Sequence, residues 1–416
     1  MQDLFGFSST VSKPKTTKRF SSKSKSNTSK DNILPHTQAK LNLYKDYLES
    51  YITVLLRAKW VSKIYLYDIF CGNGIYDDGK PGSPVIALEI IKKAMAEYVK
   101  NGNLIKPIYL IINDKSQKRL EKARGILDKL NDGSCTIHSF NYDAEEMLQN
   151  TIIKLKKTDY KEKSLIFIDP YGYSKIRKSI IEELLVCKHS EILLFLPIAQ
   201  MHRFSLAAKR LVNNTSFEPL RKFINEFLPN YDFRSKIDDY RKVFSFINAI
   251  KDSFTFDDTY YSCSHYIQRN LQNNYYALFF ITSNLYGLQK MLEAKWKEDS
   301  VSGDGFRIKD GVKSLQTSLF GDYSKQIEKE YHYNIIRNGI CEFFKERPLV
   351  SNKEVFPFIL KLGYLPPKLN PILKQLHSEG IITMIYPDVS KLKRLPTYIS
   401  WDDYKEINIK VQFKLN

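Results

Sequence analysis

The sequence predicts an α/β protein with a doubly wound, mostly parallel sheet. Runs of β-branched and aromatic residues alternate with segments of helical periodicity from about residue 37 to residue 297. The longest apolar runs have the length of strands and are too short to cross a membrane. With 43% hydrophobic residues, and only 17 Gly and 16 Pro in 416 residues, the chain is suited to a buried core and not to a fibrous or linker-like structure.

The first part of the chain, residues 1–35, is predicted to be a disordered basic arm. Residues 8–32 contain almost no large apolar side chains. From Lys13 to Lys30 there are seven basic residues and no acidic ones. Such a segment buries too little surface to offset the entropy lost on ordering.

The alternation begins with an amphipathic helix between Thr37 and Trp60 and a buried strand at 63–70. A helix restarts at Ser83 and Pro84, which are suited to the N-cap and the first helical position. The remaining predicted elements are strand 108–112, helix 116–130, strand 135–140, helix 144–155, strand 164–168, helix 178–186, strand 191–196, strand 275–283 and helix 286–297. Together they predict a Rossmann-like domain spanning residues 36–320.

Two segments depart from this alternation. Residues 203–260 are helical in pattern and are predicted to form an inserted helical cap. Residues 326–416 predict three helices and a β-ribbon with a basic tip, which is the pattern of a winged helix. These helices are predicted at 327–344, 352–362 and 368–378, and the strands at 381–386 and 397–401.

The net charge of +18, from 64 Lys and Arg against 46 Asp and Glu, favours DNA or RNA as a partner. The cations predicted to contact phosphates are Lys368, Lys374, Lys391, Lys393 and Arg394. Two alternatives stay open: the charge reflects biased codon usage, or the winged helix docks a protein.

Five scattered cysteines predict neither a disulfide framework nor a metal site, and no histidines show metal-ligand spacing. The first 30 residues also lack the apolar core of a signal peptide. The sequence therefore predicts a cytoplasmic protein without a membrane span.

Small and acidic residues follow four successive strands, where doubly wound sheets bind their ligands. They are Asp68, Phe70, Gly72 and Gly74 after the first strand, Asp114 after the second, Asp143 after the third, and Asp169, Pro170, Tyr171 and Gly172 after the fourth. Individually, they are also explained as turn glycines, helix N-caps and a rigid turn. Because all four groups share one sheet edge, they predict a nucleoside-binding crevice.

The spacing of these residues distinguishes between nucleosides. A dinucleotide fingerprint needs a third glycine in register and an acid about 20 residues on, whereas Asp114 lies 42 residues beyond Gly72. No P-loop motif is present either. The pattern instead suits S-adenosylmethionine, with its amino acid part beside the glycines, its ribose on Asp114 and its adenine near Asp143.

Residues 67–74 and 78–88 resemble the opening of the three-Cys-motif partner family, and residues 167–172 and 275–282 are also similar to it. The resemblance covers most of residues 36–300, and its most distinctive part is the block from Asp78 to Pro84. It implies a bacterial class I methyltransferase-like domain, encoded beside a partner protein that carries three clustered cysteines.

The segment from Asp169 to Gly172 is also similar, more weakly, to the Asp/Asn-Pro-Pro-aromatic motif of amino-methyltransferases. That resemblance implies that Asp169 orients an amine and that Tyr171 or Tyr173 stacks on a base. Tyr171 stands where the motif has its second proline, a departure that weighs against N-methylation of a base.

Two functions stay open. The first is an S-adenosylmethionine-dependent methyltransferase acting on nucleic acid, with the segment from Asp169 to Gly172 at the target. The second is a non-catalytic nucleotide- or nucleic-acid-binding partner subunit of a three-Cys-motif protein, with bacterial defence as one setting.

Overall fold

The computed structural model describes residues 33–233, 239–257, 259–270, 274–300, 303, 305–306, 329–387 and 396–416. In these residues, eight strands form one sheet in the order β3-β2-β1-β4-β5-β7-β6-β8. The strands are β1 (Lys63–Asp68), β2 (Ile108–Asn113), β3 (Thr136–Phe140), β4 (Glu162–Ile168), β5 (Ser190–Leu196), β6 (Tyr261–Asn270), β7 (Asn274–Thr282) and β8 (Gly305–Phe306). β7 is antiparallel to its neighbours β5 and β6, and the other pairs are parallel. The predicted mostly parallel sheet is confirmed.

Helices cover both faces of the sheet. They are α1 (Pro35–Arg57), α2 (Ser83–Lys100), α3 (Gln117–Leu130), α4 (Ala144–Leu155), α5 (Lys178–Leu185), α6 (Ile198–Arg210), α7 (Glu218–Phe227), α8 (Asp239–Asp252) and α9 (Leu285–Glu298). Alternate residues of β1 enter different cores: Ile64 and Leu66 pack with α1, α2, α3 and α9, whereas Tyr65 and Tyr67 pack with α4 to α8. All of β5 is buried, as expected of a strand covered on both sides.

The described part of the predicted insertion, residues 203–260, contains three α-helices joined by turns and irregular segments. α6 begins at Ile198, slightly before the predicted boundary, and α7 and α8 follow it. Phe223, Phe227 and Phe254 are buried against the core that α4 and α5 share. These helices therefore extend the layer on one face of the sheet.

The C-terminal residues form a helical unit with a small antiparallel sheet. Its elements are α10 (329–345), β9 (Val350–Ser351), α11 (Asn352–Lys361), α12 (Pro366–Ser378), β10 (Ile382–Ile385), α13 (Trp401–Lys405) and β11 (Gln412–Leu415). The strand order is β10-β11-β9. Trp296 of α9 joins this unit to the α/β domain, because its indole N–H donates a 3.0 Å hydrogen bond to the carbonyl of Gly363.

The strand predicted at 397–401 is wrong. Residues 396–400 have no regular structure, and α13 begins at Trp401. Ser400 caps that helix by accepting a hydrogen bond from the amide of Asp403, and acids in its first turn favour the helix dipole. The partner of β10 is β11, near the end of the chain.

Candidate functional site

Two adjoining cavities lie at the carboxyl ends of β1, β2 and β4. The larger, of about 330 Å³, is lined by the glycine loop after β1, by α1 and by Asp169. The smaller, of about 280 Å³, is lined by Asn113, Asp114 and Ala144 among others. The residues that line both are Phe70, Arg119, Pro170 and Tyr171. β1 lies between β2 and β4 in the sheet, so the cavities occupy the point where the strand order reverses.

The loop from β1 to α2 needs its glycines for different reasons. Gly72 has φ +61° and Gly74 has φ +78°, values that side chains disfavour. A Cβ on Gly74 would also lie 3.2 Å from Cα of Ala123 in α3, whereas a Cβ on Gly72 would meet no atom within 4 Å. Gly74 therefore packs the loop against α3, and Gly72 leaves open space beside the larger cavity.

Asp114 connects the loops that follow β1 and β2. Its carboxylate accepts hydrogen bonds from the amides of Gly72 (3.2 Å) and Ser116 (2.7 Å). The guanidinium of Arg119 donates to the same carboxylate through Nε (3.1 Å) and Nη2 (2.9 Å). Asp114 thus borders the smaller cavity in an ion pair with Arg119, whose role the sequence did not reveal.

Arg119 also reaches the loop that follows β4. Its Nη1 donates a 2.8 Å hydrogen bond to the hydroxyl of Tyr171, and its Cζ lies 5.4 Å from the centre of that ring. The side chain of Tyr171 is 82% exposed, so solvent covers its outer side. Arg119 and Tyr171 together bridge the boundary between the two cavities.

Asp169 lies in the larger cavity and is paired with a residue that sequence reasoning missed. The ammonium of Lys40, in α1, donates a hydrogen bond to Oδ2 of Asp169. Lys40 is buried, and its Nζ lies 4.6 Å from the centre of the Phe195 ring. The signal for Lys40 was its position four residues before Tyr44, on the stripe of α1 that becomes buried.

Asp68 lies behind the larger cavity rather than in its wall. Its carboxylate accepts a 2.6 Å hydrogen bond from the hydroxyl of Ser83, which does line the cavity. Burial raises the pKa of Asp68 to about 7; the charge of Asp169 adds to this shift and the bond from Ser83 opposes it. The prediction that Ser83 is the N-cap of α2 is wrong, because Gly82 holds that position and Ser83 is the first residue of the helix.

Asp143 caps α4. Its carboxylate accepts hydrogen bonds from the amides of Glu145 (3.0 Å) and Glu146 (3.1 Å) and lies 3.4 Å from Nζ of Lys175. Of these interactions, the bond from Glu146 contributes most to lowering the pKa of Asp143. Asp143 is not among the residues that line either cavity, so its role near adenine stays a prediction.

Asn113 holds three of these loops in place. Its side-chain amide donates to the carbonyls of Ile69 (3.1 Å) and Tyr142 (3.2 Å) and accepts from the amide of Tyr142 (3.0 Å). The side chain of Asn113 therefore links the loops after β1, β2 and β3.

The predicted phosphate contacts are placed differently from one another. Lys374 is exposed on α12, whereas the Nζ of Lys368 lies 3.7 Å from the centre of the Trp296 ring, at the contact with α9. Lys391, Lys393 and Arg394 lie outside the described residues.

Other chemistry is limited in the part of the chain that the structure describes. No group of three or more metal-binding side chains occurs there. Cys71 lines the larger cavity, and burial raises the pKa of its thiol, which disfavours a thiolate. Among the described helices, none has the length and apolar character needed to cross a bilayer.

No family model and no curated protein matches the chain. Similar solved structures include a Legionella pneumophila protein of the family model DUF519, with 14% identity over 63% of this chain and 91% of that one, at TM-score 0.34. An rRNA methylase from Streptococcus thermophilus has 10% identity over 57% and 93%, at TM-score 0.26. A Bacillus cereus O-methyltransferase in complex with SAH has 12% identity over 61% and 83%, at TM-score 0.28. Because these structural similarities are low, the function has to be argued from the site itself.

Proposed function

We propose that the protein is an S-adenosylmethionine-dependent methyltransferase that acts on nucleic acid. The observation that carries the proposal is the joint position of Gly72, Asp114 and Asp169, which border two adjoining cavities at the switch point of the sheet. A nucleoside with a charged tail needs two such compartments, one largely apolar and one polar.

The lining residues fit the two ends of this cofactor. In the smaller cavity, Phe70, Ala144 and Pro170 offer apolar surfaces for a base, and Asp114 would accept hydrogen bonds from ribose hydroxyls. In the larger cavity, Gly72 and Ser83 would face the amino acid part. The cofactor supplies a methyl group on a sulfonium, and the protein contributes mainly by positioning the acceptor against it.

Nucleic acid as the substrate is supported by the net charge of +18. We further propose that the C-terminal unit is a winged helix, with α12 as the helix that approaches the nucleic acid. Lys374 would then contact a phosphate, together with Lys391, Lys393 and Arg394. Lys368 would act differently, because it packs on Trp296.

The second candidate is a non-catalytic nucleotide- or nucleic-acid-binding subunit, in keeping with the resemblance to three-Cys-motif partner proteins. One observation favours it: Asp114 and Asp169 are already paired, with Arg119 and Lys40. These two cations would also suit the phosphates of a nucleotide.

Calorimetric titration with S-adenosylhomocysteine and with ATP separates the candidates. We expect one site for S-adenosylhomocysteine, weakened about tenfold by Asp114→Asn, which removes a charged acceptor. The matched control is Asp128→Asn, because Asp128 pairs with Arg124 on α3 (2.8 Å), and neither residue lines either of these two cavities. Binding of ATP without binding of S-adenosylhomocysteine would favour the second candidate.

A further inference from the structure

The acidic group of the larger cavity, Asp169, is held in a largely buried ion pair. Asp169 lies directly after β4, at the predicted target position, and its Oδ2 accepts a hydrogen bond from the buried ammonium of Lys40. The two side chains are 24% and 8% exposed, so solvent screens the pair only weakly. The charge of Asp169 is therefore already balanced inside the protein.

This balance matters for the choice of acceptor atom. Transfer of a methyl group to an amine places positive charge on nitrogen, and a buried ammonium nearby opposes that charge. Arg119, the other cation in the wall of the cavity, is likewise neutralised by Asp114. Neither carboxylate therefore has an unbalanced negative charge that would offset a positive nitrogen.

An oxygen acceptor reverses the argument. An ammonium beside a hydroxyl favours the oxyanion, and a carboxylate within reach accepts the hydroxyl proton. The acceptor oxygen forms its bond to the methyl carbon while the carbon–sulfur bond breaks, and the electron pair of that bond stays on sulfur. The proton passes to Asp169 and then to solvent, so that charge and atoms balance.

The wall of the cavity beside this pair is aromatic. The ring of Tyr276 stacks with those of His36 (centroids 5.5 Å apart) and Phe195 (5.0 Å), and all three residues line the cavity. Lys40 lies over the Phe195 ring. An unpaired nucleotide whose base packs against this aromatic wall would place its sugar close to Lys40 and Asp169.

We propose that the methyl acceptor is a ribose 2′-hydroxyl of RNA, held by Lys40 and Asp169. This inference rests on the proposed function and specifies its substrate. Within a nucleic acid strand the 2′-hydroxyl is the group that distinguishes RNA from DNA, and internal DNA nucleotides offer no free sugar hydroxyl.

The product tests the inference. The full-length protein is incubated with labelled S-adenosylmethionine and either total RNA or DNA, and the digested nucleosides are separated. We expect label in 2′-O-methylated nucleosides of RNA. Label on base nitrogens, label in DNA, or no label in RNA overturns the inference.

Substitution of Lys40 supplies a second arm, with a control on the same helix. Lys40→Met should lower the methylation rate about 100-fold or more, the usual effect of losing a donor that stabilises a developing oxyanion. Lys45→Met should leave it unchanged, because Lys45 is exposed on α1. A wild-type rate in Lys40→Met contradicts the proposal.

Binding provides a readout that does not depend on turnover. With S-adenosylhomocysteine present, fluorescence polarisation should show tighter binding of an RNA oligonucleotide than of its 2′-deoxy equivalent, and Lys40→Met should abolish the difference. An equal preference in both proteins contradicts the role of Lys40. Failure to bind S-adenosylhomocysteine at all would remove the proposed function, whereas binding it and labelling base amines would remove this inference alone.

Discussion

Arg119 donates a hydrogen bond of 2.8 Å to the hydroxyl of Tyr171, and the two side chains span the boundary between the cavities. The contact joins the first turn of α3 to the loop after β4, which are 52 residues apart in sequence. A ligand that occupied both cavities would lie against this pair. We therefore expect the bond to slow the entry and exit of such a ligand.

Tyr171→Phe should speed the release of S-adenosylhomocysteine several-fold, because the ring remains while the hydrogen bond to Arg119 is lost. The exposed position of Tyr171 limits the change in unfolding free energy to about 0.5 kcal/mol. Stopped-flow dissociation measures the rate. Tyr160→Phe is the control. Tyr160 is 64% exposed and lies just before the amino end of β4, whereas the cavities lie at the carboxyl ends of the strands. Equal rates for both variants would show that the bond does not hinder release.

Gly74→Ala should destabilise the fold by about 2–4 kcal/mol, because it adds strain at positive φ to a close contact with α3. Gly79→Ala is a matched comparison: Gly79 has φ +81°, and its Cβ would meet nothing within 4 Å. Gly79→Ala should lose only the contribution of backbone strain, about 1 kcal/mol of unfolding free energy. Urea denaturation measures both, and equal losses would mean that packing against Ala123 contributes nothing.

Because of Asp68, the free energy of unfolding should fall as pH rises. Its pKa is about 7 in the folded protein, against 3.8 as the ordinary value, so the folded state retains a proton that the unfolded state releases. Its contribution is fully present below about pH 4 and is lost as pH rises through 7, with a slope on the order of 1 kcal/mol per pH unit. Asp68→Asn should remove this slope. Urea denaturation of both proteins at pH 5 and pH 7 measures it, and a constant difference between them would contradict the shift.

Substitutions of Lys368 and Lys374 should have different effects, one on the stability of the protein and the other on its affinity for nucleic acid. Lys368→Ala removes a cation over Trp296 and should lower stability by about 1 kcal/mol, seen as a lower Tm. Lys374→Ala should leave the Tm unchanged and weaken RNA binding with a shallower salt dependence. Unchanged RNA affinity in Lys374→Ala would remove α12 from the proposed interface.

The local features of the sequence predicted much of the α/β domain. The bounds of α4 agree with the prediction because Asp143 caps the helix directly. β6 was not predicted, because Ser262, Ser264 and Gln268 interrupt its apolar residues. The strand at 397–401 was predicted from residue type alone, whereas the Ser400 cap decides the structure in favour of a helix.

The residues of the candidate site were also predicted only in part. The positions of Asp114 and Asp169 after their strands were readable, because doubly wound sheets gather such residues at one edge. Lys40 and Arg119 were not readable as partners of these acids. Lys40 is 129 residues from Asp169 in sequence, and only the packing of α1 beside β4 and β5 brings the pair together.

The proposed function requires that the two cavities act as one nucleoside site. A crystal structure of the protein with bound S-adenosylhomocysteine would show whether they do. We expect the base in the smaller cavity near Ala144, the ribose on Asp114, and the amino acid part beside Gly72. Ligand bound elsewhere, or both cavities empty at saturating ligand, would contradict it.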